Sequence, residues 1–207
     1  MPALAGLRRA ARLLPVALLP LAGEAATVEV GVVDAAGRPL AQAVVFLESP
    51  AAAAQVRPLK DVELAQAQRR FMPDVLLVTR GTSVDFPNRD EVRHHVYSFS
   101  PAKRFELKLY IGRPANPVLF DMPGVVVLGC NIHDDMVGWV LVLDTPHYGR
   151  TDAAGRLVLK DVPPGSYQLR AWHATLPVGE PPAGAVLNVG REGVQARTQL
   201  PVRTAPP

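Results

Sequence analysis

Apolar side chains recur at every second position through much of this chain. Val28, Val30 and Val32 alternate with small or charged residues, and the same two-residue rhythm returns in one apolar stretch after another. A period of two places alternate side chains on opposite faces of an extended backbone, so it predicts strands. Residues 27–49 are expected to run strand, turn, strand, with the turn at Asp34–Ala35–Ala36–Gly37–Arg38–Pro39. Further strands are expected over 75–79, 83–86, 96–99, 105–110, 125–129, 137–143, 156–159, 167–172, 186–189 and 194–202. Residues 62–68 are too short a run to assign. Residues 125–129 and 137–143 are nearly unbroken in valine and leucine, with a short polar loop between them. No long segment carries a 3.6-residue period, so the chain reads as all-β.

Composition sharpens this picture. The 207 residues include 21 prolines and 16 glycines, spread as punctuation between the apolar runs, which suits a loop-rich β protein. Hydrophobic residues make up 48% and charged ones 20%, a globular balance. A single cysteine excludes an internal disulfide framework and any multi-cysteine zinc or iron–sulfur site. Arg8, Arg9 and Arg12 precede an apolar stretch from Leu13 to Leu21 and then small residues, the order of a secretory signal. That stretch is about half the ~20 residues a membrane anchor needs and holds Pro15 and Pro20. Cleavage after Ala25 is expected, so the mature protein is exported, with no stable membrane span. Without Arg8, Arg9, Arg12 and Glu24 the net charge falls from +3 to +1. With no basic stripe interleaved with aromatics, nucleic acid is not an expected partner.

The chemistry concentrates in Cys130–Asn131–Ile132–His133–Asp134–Asp135–Met136, which sets a thiol, an imidazole and a thioether within seven residues. Upstream, Asp90–Glu91–Val92–Arg93–His94–His95–Val96–Tyr97–Ser98 starts a strand at its histidines. Taken singly, a C-x-x-H spacing is common, and a lone cysteine is most often a small buried hydrophobe. Together they weigh more: the one cysteine and three of the five histidines share a 40-residue window. An unpaired cysteine in an exported protein also calls for a role. Soft sulfur donors with two imidazoles suit copper. Zinc stays open, with His94, Cys130, His133 and one of Asp134 or Asp135 as four firm donors. Neighbours on a strand face opposite ways, so only one of His94 and His95 can share a metal with Cys130. His147 and His173 lie outside the motif, and Trp139 is expected in the core.

Two resemblances add to this. The run Phe71–Met72–Pro73 through Leu76, Val78, Gly81, Val84, Phe86, Asn88, Asp90 and His94, with the C-x-x-H-x-x-M loop, resembles the blue copper proteins, or cupredoxins, such as plastocyanin, pseudoazurin and amicyanin. The short Cys-to-Met spacing is most similar to amicyanin, and the mature chain resembles bacterial exported proteins described as methylamine-utilisation or plastocyanin-like. The resemblance implies a cupredoxin Greek-key β-sandwich over residues 58–147. It also implies one type 1 copper ion held by His94, Cys130, His133 and axial Met136, and one-electron transport to a redox protein partner in the periplasm. The residue after the first histidine usually braces the ligand loop in that family; here it is His95. Five histidines are too few for the extra sites of copper nitrite reductases or multicopper oxidases, so an electron carrier rather than an enzyme is expected. Copper delivery or sensing without electron flow is the alternative.

The flanks carry matching turns, Asp34–Ala35–Ala36–Gly37–Arg38 and Asp152–Ala153–Ala154–Gly155–Arg156. With Thr151 to Leu169 they resemble the carboxypeptidase-regulatory-like (transthyretin-like) β-sandwich. The implied organisation is a signal over 1–25, that sandwich in two parts over 26–57 and 148–207, and the copper unit inserted between them.

Overall fold

The computed structural model describes residues 25–203. The leader expected over 1–25 therefore lies, but for Ala25, outside the described residues. The described chain is all-β, with one four-residue helix, Pro50–Ala53, whose first turn is capped by the Ser49 hydroxyl accepting from the Ala52 N–H. No helix among the described residues is long and apolar enough to cross a membrane.

Strands near the two ends of the chain pair with one another. Ala26–Val33 lies between Arg156–Val162, antiparallel, and Val194–Gln199, parallel. Val44–Glu48 lies between Tyr148–Arg150 and Gly165–Trp172, and Ala183–Val189 extends that sheet. Val28, Val30 and Val32 from the first sheet and Val44, Leu47, Leu169 and Trp172 from the second fill one core.

The two aspartate turns are built alike. In each, the aspartate carboxylate accepts two backbone N–H groups, from Ala36 and Arg38 at one and from Ala154 and Arg156 at the other. In each, the glycine N–H returns to the aspartate carbonyl, with the glycine at positive φ. The second turn docks on the first segment: the Val32 N–H donates to the Gly155 carbonyl at 2.8 Å.

Between these flanks the chain builds a five-stranded sheet in the order Val75–Thr79, His133–Leu143, Gly124–Cys130, His94–Ser100, Lys103–Tyr110. Val75–Thr79 and His133–Leu143 run parallel, and the other pairs are antiparallel. A three-stranded sheet of Val118–Phe120, Thr82–Asp85 and Val62–Glu63 accompanies it. Phe86, Phe120, Leu64 and Phe71 join Val78, Val96, Val126, Leu128, Val140 and Val142 in a second core, which also holds Cys130 and Met136.

Where Val75–Thr79 and the end of His133–Leu143 lie side by side, the five-stranded sheet is apolar on both faces. Along one strand Val140 and Val142 enter the second core while Leu141 and Leu143 enter the core of the flanking sheets, as does Val75 from the neighbouring strand. A sheet covered on both sides reads as a continuous apolar run rather than an alternation. That is the physical reason for the valine-rich stretches at 125–129 and 137–143.

Three short strands, Arg70–Met72, Val118–Phe120 and Tyr148–Arg150, are not marked by the two-residue rhythm. The larger difference is at the loop expected between 129 and 137. Its second strand begins at His133, leaving only Asn131 and Ile132 as the connection.

Candidate metal centre

The tight turn decides the geometry. Cys130 pairs with His133, yet Gly129 pairs with Val137, so Asp134, Asp135 and Met136 bulge out of the ladder. Asp134 and Asp135 are exposed, while Met136 is 1% exposed and joins the core cluster of Cys130. The bulge thus turns two carboxylates to water and one thioether inward.

His94 reaches the same place from the adjoining strand, where Val96 pairs with Cys130. It is fully buried, with its Nδ1 3.7 Å from the Cys130 Sγ. The His133 Nδ1 approaches the same sulfur at 3.6 Å, and the two rings stand 5.0 Å apart between centroids. The donor atoms of His94, Cys130 and His133 all lie within 4.8 Å of one another, and no carboxylate joins this group among the described residues. An ion with bonds of about 2.0 Å to nitrogen and 2.3 Å to sulfur, in tetrahedral to trigonal geometry, needs N···S separations of about 3.5–3.8 Å. The three side chains stand at that spacing.

His95 is elsewhere. Its side chain leaves the opposite face of the strand and its Nε2 meets a Glu106 carboxylate oxygen at 2.8 Å. Its backbone carbonyl accepts the Asn131 N–H at 3.1 Å, so position 95 still ties down the Cys130–His133 turn, through the main chain.

The side-chain brace that sequence reasoning missed is Asp90. One carboxylate oxygen lies 2.8 Å from the His94 Nε2 and accepts the Arg69 N–H at 2.9 Å; the other accepts the Gln68 N–H at 2.6 Å. Burial pushes this carboxyl up, but the Arg69 N–H, the His94 ring and the Gln68 N–H outweigh it and hold it below the ordinary aspartate value. An ionised Asp90 keeps the proton of His94 on Nε2 and turns the Nδ1 lone pair toward Cys130. Asp90 is itself held: its N–H donates to the Asn88 side chain, whose amide donates to the Val92 and Tyr110 carbonyls. The single Tyr110 hydroxyl proton lies between the side-chain oxygen of the buried Gln66 and the Phe86 carbonyl, each 2.7 Å from the hydroxyl oxygen. The available signal was the Asp90–His94 spacing of four across a turn-to-strand junction.

Trp139, expected in the core, is half-buried and packs against Trp172, with ring centroids 6.2 Å apart. His147 is half-buried against Tyr167, and His173 bonds Thr175; neither joins the cluster.

No protein-family model matches the chain, and no curated protein matches it. Among solved structures it is similar to a purple cupredoxin from Nitrosopumilus maritimus, at 23% identity over 40% of this chain and 100% of that one, with a TM-score of 0.36. It is similar to a methionine-to-alanine variant of amicyanin in its Cu(I) form, at 27% identity over 49% of this chain and 99% of that one, TM-score 0.37. A copper-containing nitrite reductase from Thermus scotoductus overlaps at 24% identity over 54% of this chain and 28% of that one, TM-score 0.38. The case for a metal rests on the donors themselves. Two imidazoles and a thiolate with a thioether at hand make the donor set of a type 1 copper site, and sulfur-rich donors favour copper over the hard cations.

Proposed function

We propose that this chain is a periplasmic type 1 copper protein that carries one electron, with His94, Cys130 and His133 as the three strong ligands and Met136 as the axial one. The observation that carries the reading is the convergence of the His94 and His133 Nδ1 atoms on the Cys130 sulfur at 3.7 and 3.6 Å, with Met136 buried in the same core cluster as Cys130. Bound copper would supply a Cu(I)/Cu(II) couple. The protein's part is to hold the donors still. His94 is fixed by Asp90, Cys130 and His133 close a two-residue turn, and the inner face of the sheet beneath packs into the second core. A frame of this kind lets the donors serve both oxidation states with little movement, which is what fast electron transfer requires.

In this reading the leader over 1–25 exports the protein. Residues 58–147 form the copper unit, and residues 26–57 and 148–207 form the sandwich that carries it. His133 is the less buried of the two histidines and lies beside the exposed Asp134 and Asp135, so a redox protein docks there. Copper delivery without electron flow would use the same ligands. Protein-film voltammetry of the copper-loaded protein separates the two. A carrier gives a reversible one-electron wave that survives fast scans. A delivery module gives a sluggish wave and hands its copper to a chelator on reduction.

A further inference from the structure

A groove of about 730 Å³ runs along the outer face of the five-stranded sheet, on the side away from the metal donors. Its floor is the segment ending at Gly129, and residues 176–182 form one wall. The lining is mostly apolar and aromatic, with Tyr97, Phe99, Trp139 and Trp172 along it and Val178 on the wall. Phe99 and Val178 are about three-quarters exposed, so substantial apolar surface faces water here. Five prolines line it, at positions 101, 123, 177, 181 and 182, which stiffen its rim.

The few polar groups of the groove have unspent capacity. The Tyr97 hydroxyl and the indole N–H groups of Trp139 and Trp172 make no hydrogen bond among the described residues. Nor are they sealed away, because among the described residues the one buried side-chain nitrogen or oxygen without a partner is the His147 Nε2. The one charged side chain of the lining is Glu180, and no cation lines it. The floor is a sheet face rather than an edge: its strand pairs with His133–Leu143 along its length, and the Val127 N–H is taken by the Ser100 hydroxyl.

We infer that this groove binds a neutral, apolar ring molecule carrying carbonyl oxygens, of the quinone class. Flat apolar walls take the ring, two or three free donors take carbonyl acceptors, and the lone carboxylate turns anions away. The volume lies in the range of small-molecule sites. The site does not depend on the metal reading: the groove stands on the far face of the sheet, so the metal-free protein binds equally.

Trp139 and Trp172 are the chain's two tryptophans, so intrinsic fluorescence reports on this groove directly. The experiment titrates 2-methyl-1,4-naphthoquinone into metal-free mature protein and into the Cys130→Ser variant. Quenching is read together with calorimetry, which sets collisional quenching apart from binding. The expected result is saturable one-to-one binding, the same in both proteins. Val178→Asp and Phe99→Asp alter exposed positions, leave the fold intact and weaken binding at least tenfold. The carbonyl-free 2-methylnaphthalene loses two hydrogen bonds, which corresponds to roughly tenfold weaker binding. No calorimetric binding, or binding untouched by both variants, overturns the proposal. Equal binding of the carbonyl-free ring overturns the ligand class. A concentration-dependent dimer that Val178→Asp dissociates would instead assign the groove to a second copy of the chain.

Discussion

Replacing Asp90 with alanine tests whether the centre is organised from behind. Asp90 accepts three hydrogen bonds, two from the main chain at Gln68 and Arg69 and one from the His94 Nε2. Its side chain keeps 16% of its surface, so water can enter and serve the two N–H groups in its place. The His94 side chain has no exposed surface and cannot be served so readily. A buried donor left without a partner costs about 1–3 kcal/mol, and hydrogen bonds to a charged acceptor are worth about 1.5–3 kcal/mol. Allowing for water at the two outer N–H groups, the expected loss in the metal-free protein is about 2–3 kcal/mol, read as a lowered urea midpoint at unchanged slope. The metal pays separately. Without the carboxylate nothing fixes the proton on Nε2, so part of the population presents Nδ1–H toward the sulfur and must change tautomer to bind. Removing such a brace costs about 10–100-fold in affinity, measured by competition against a copper chelator at fixed pH. An affinity within twofold of the parent, together with a stability change under about 0.5 kcal/mol, would refute the brace.

Other consequences are simpler to read. His94→Ala should abolish tight copper binding while His95→Ala leaves it within a few-fold, since the second ring bonds Glu106 on the far face; equal losses in a metal titration would contradict this. Burial pushes the His147 ring below its ordinary value of 6.5, so the unfolded chain binds that proton more tightly than the folded one. Its share of stability is therefore complete above about pH 6.5 and shrinks as the pH falls below it. His147→Phe should flatten part of the fall in urea midpoint between pH 7 and pH 5, and an unchanged slope would count against it. Gly155 has φ +70°, and a Cβ there would lie 2.5 Å from the Val32 carbonyl oxygen, whereas Gly37, at φ +79°, has open space around it. Gly37→Ala should cost about 1 kcal/mol and Gly155→Ala clearly more; equal melting temperatures for the two variants would show that the turns do not dock as described.

Much of this was legible from the residues alone. Period-two valines located the long strands, and strand geometry allowed only one of His94 and His95 to face Cys130. The structure turns His94 inward and fully buries it. Less visible was anything that depends on one strand's register against another. The three-residue bulge that exposes Asp134 and Asp135 but buries Met136 leaves no mark in the local pattern, where both aspartates simply read as loop. Asp90 bonds main-chain groups more than twenty positions away, and no spacing rule points from one to the other. The sheet shared between two cores explains the unbroken valine runs, yet the same runs would fit any doubly covered strand. Val118–Phe120 and Tyr148–Arg150 are too short for a period to register, and pairing with Thr82–Asp85 and Val44–Glu48 alone defines them.

The central claim is that Cys130 binds copper as a thiolate between two imidazoles. The visible absorption spectrum of the purified mature protein with one equivalent of Cu(II), recorded beside a Cys130→Ser control, tests it most directly. An intense blue or green thiolate-to-copper band, absent from the control and bleached by ascorbate, is the predicted result. Colourless copper, or zinc held in its place with no such band, would contradict it.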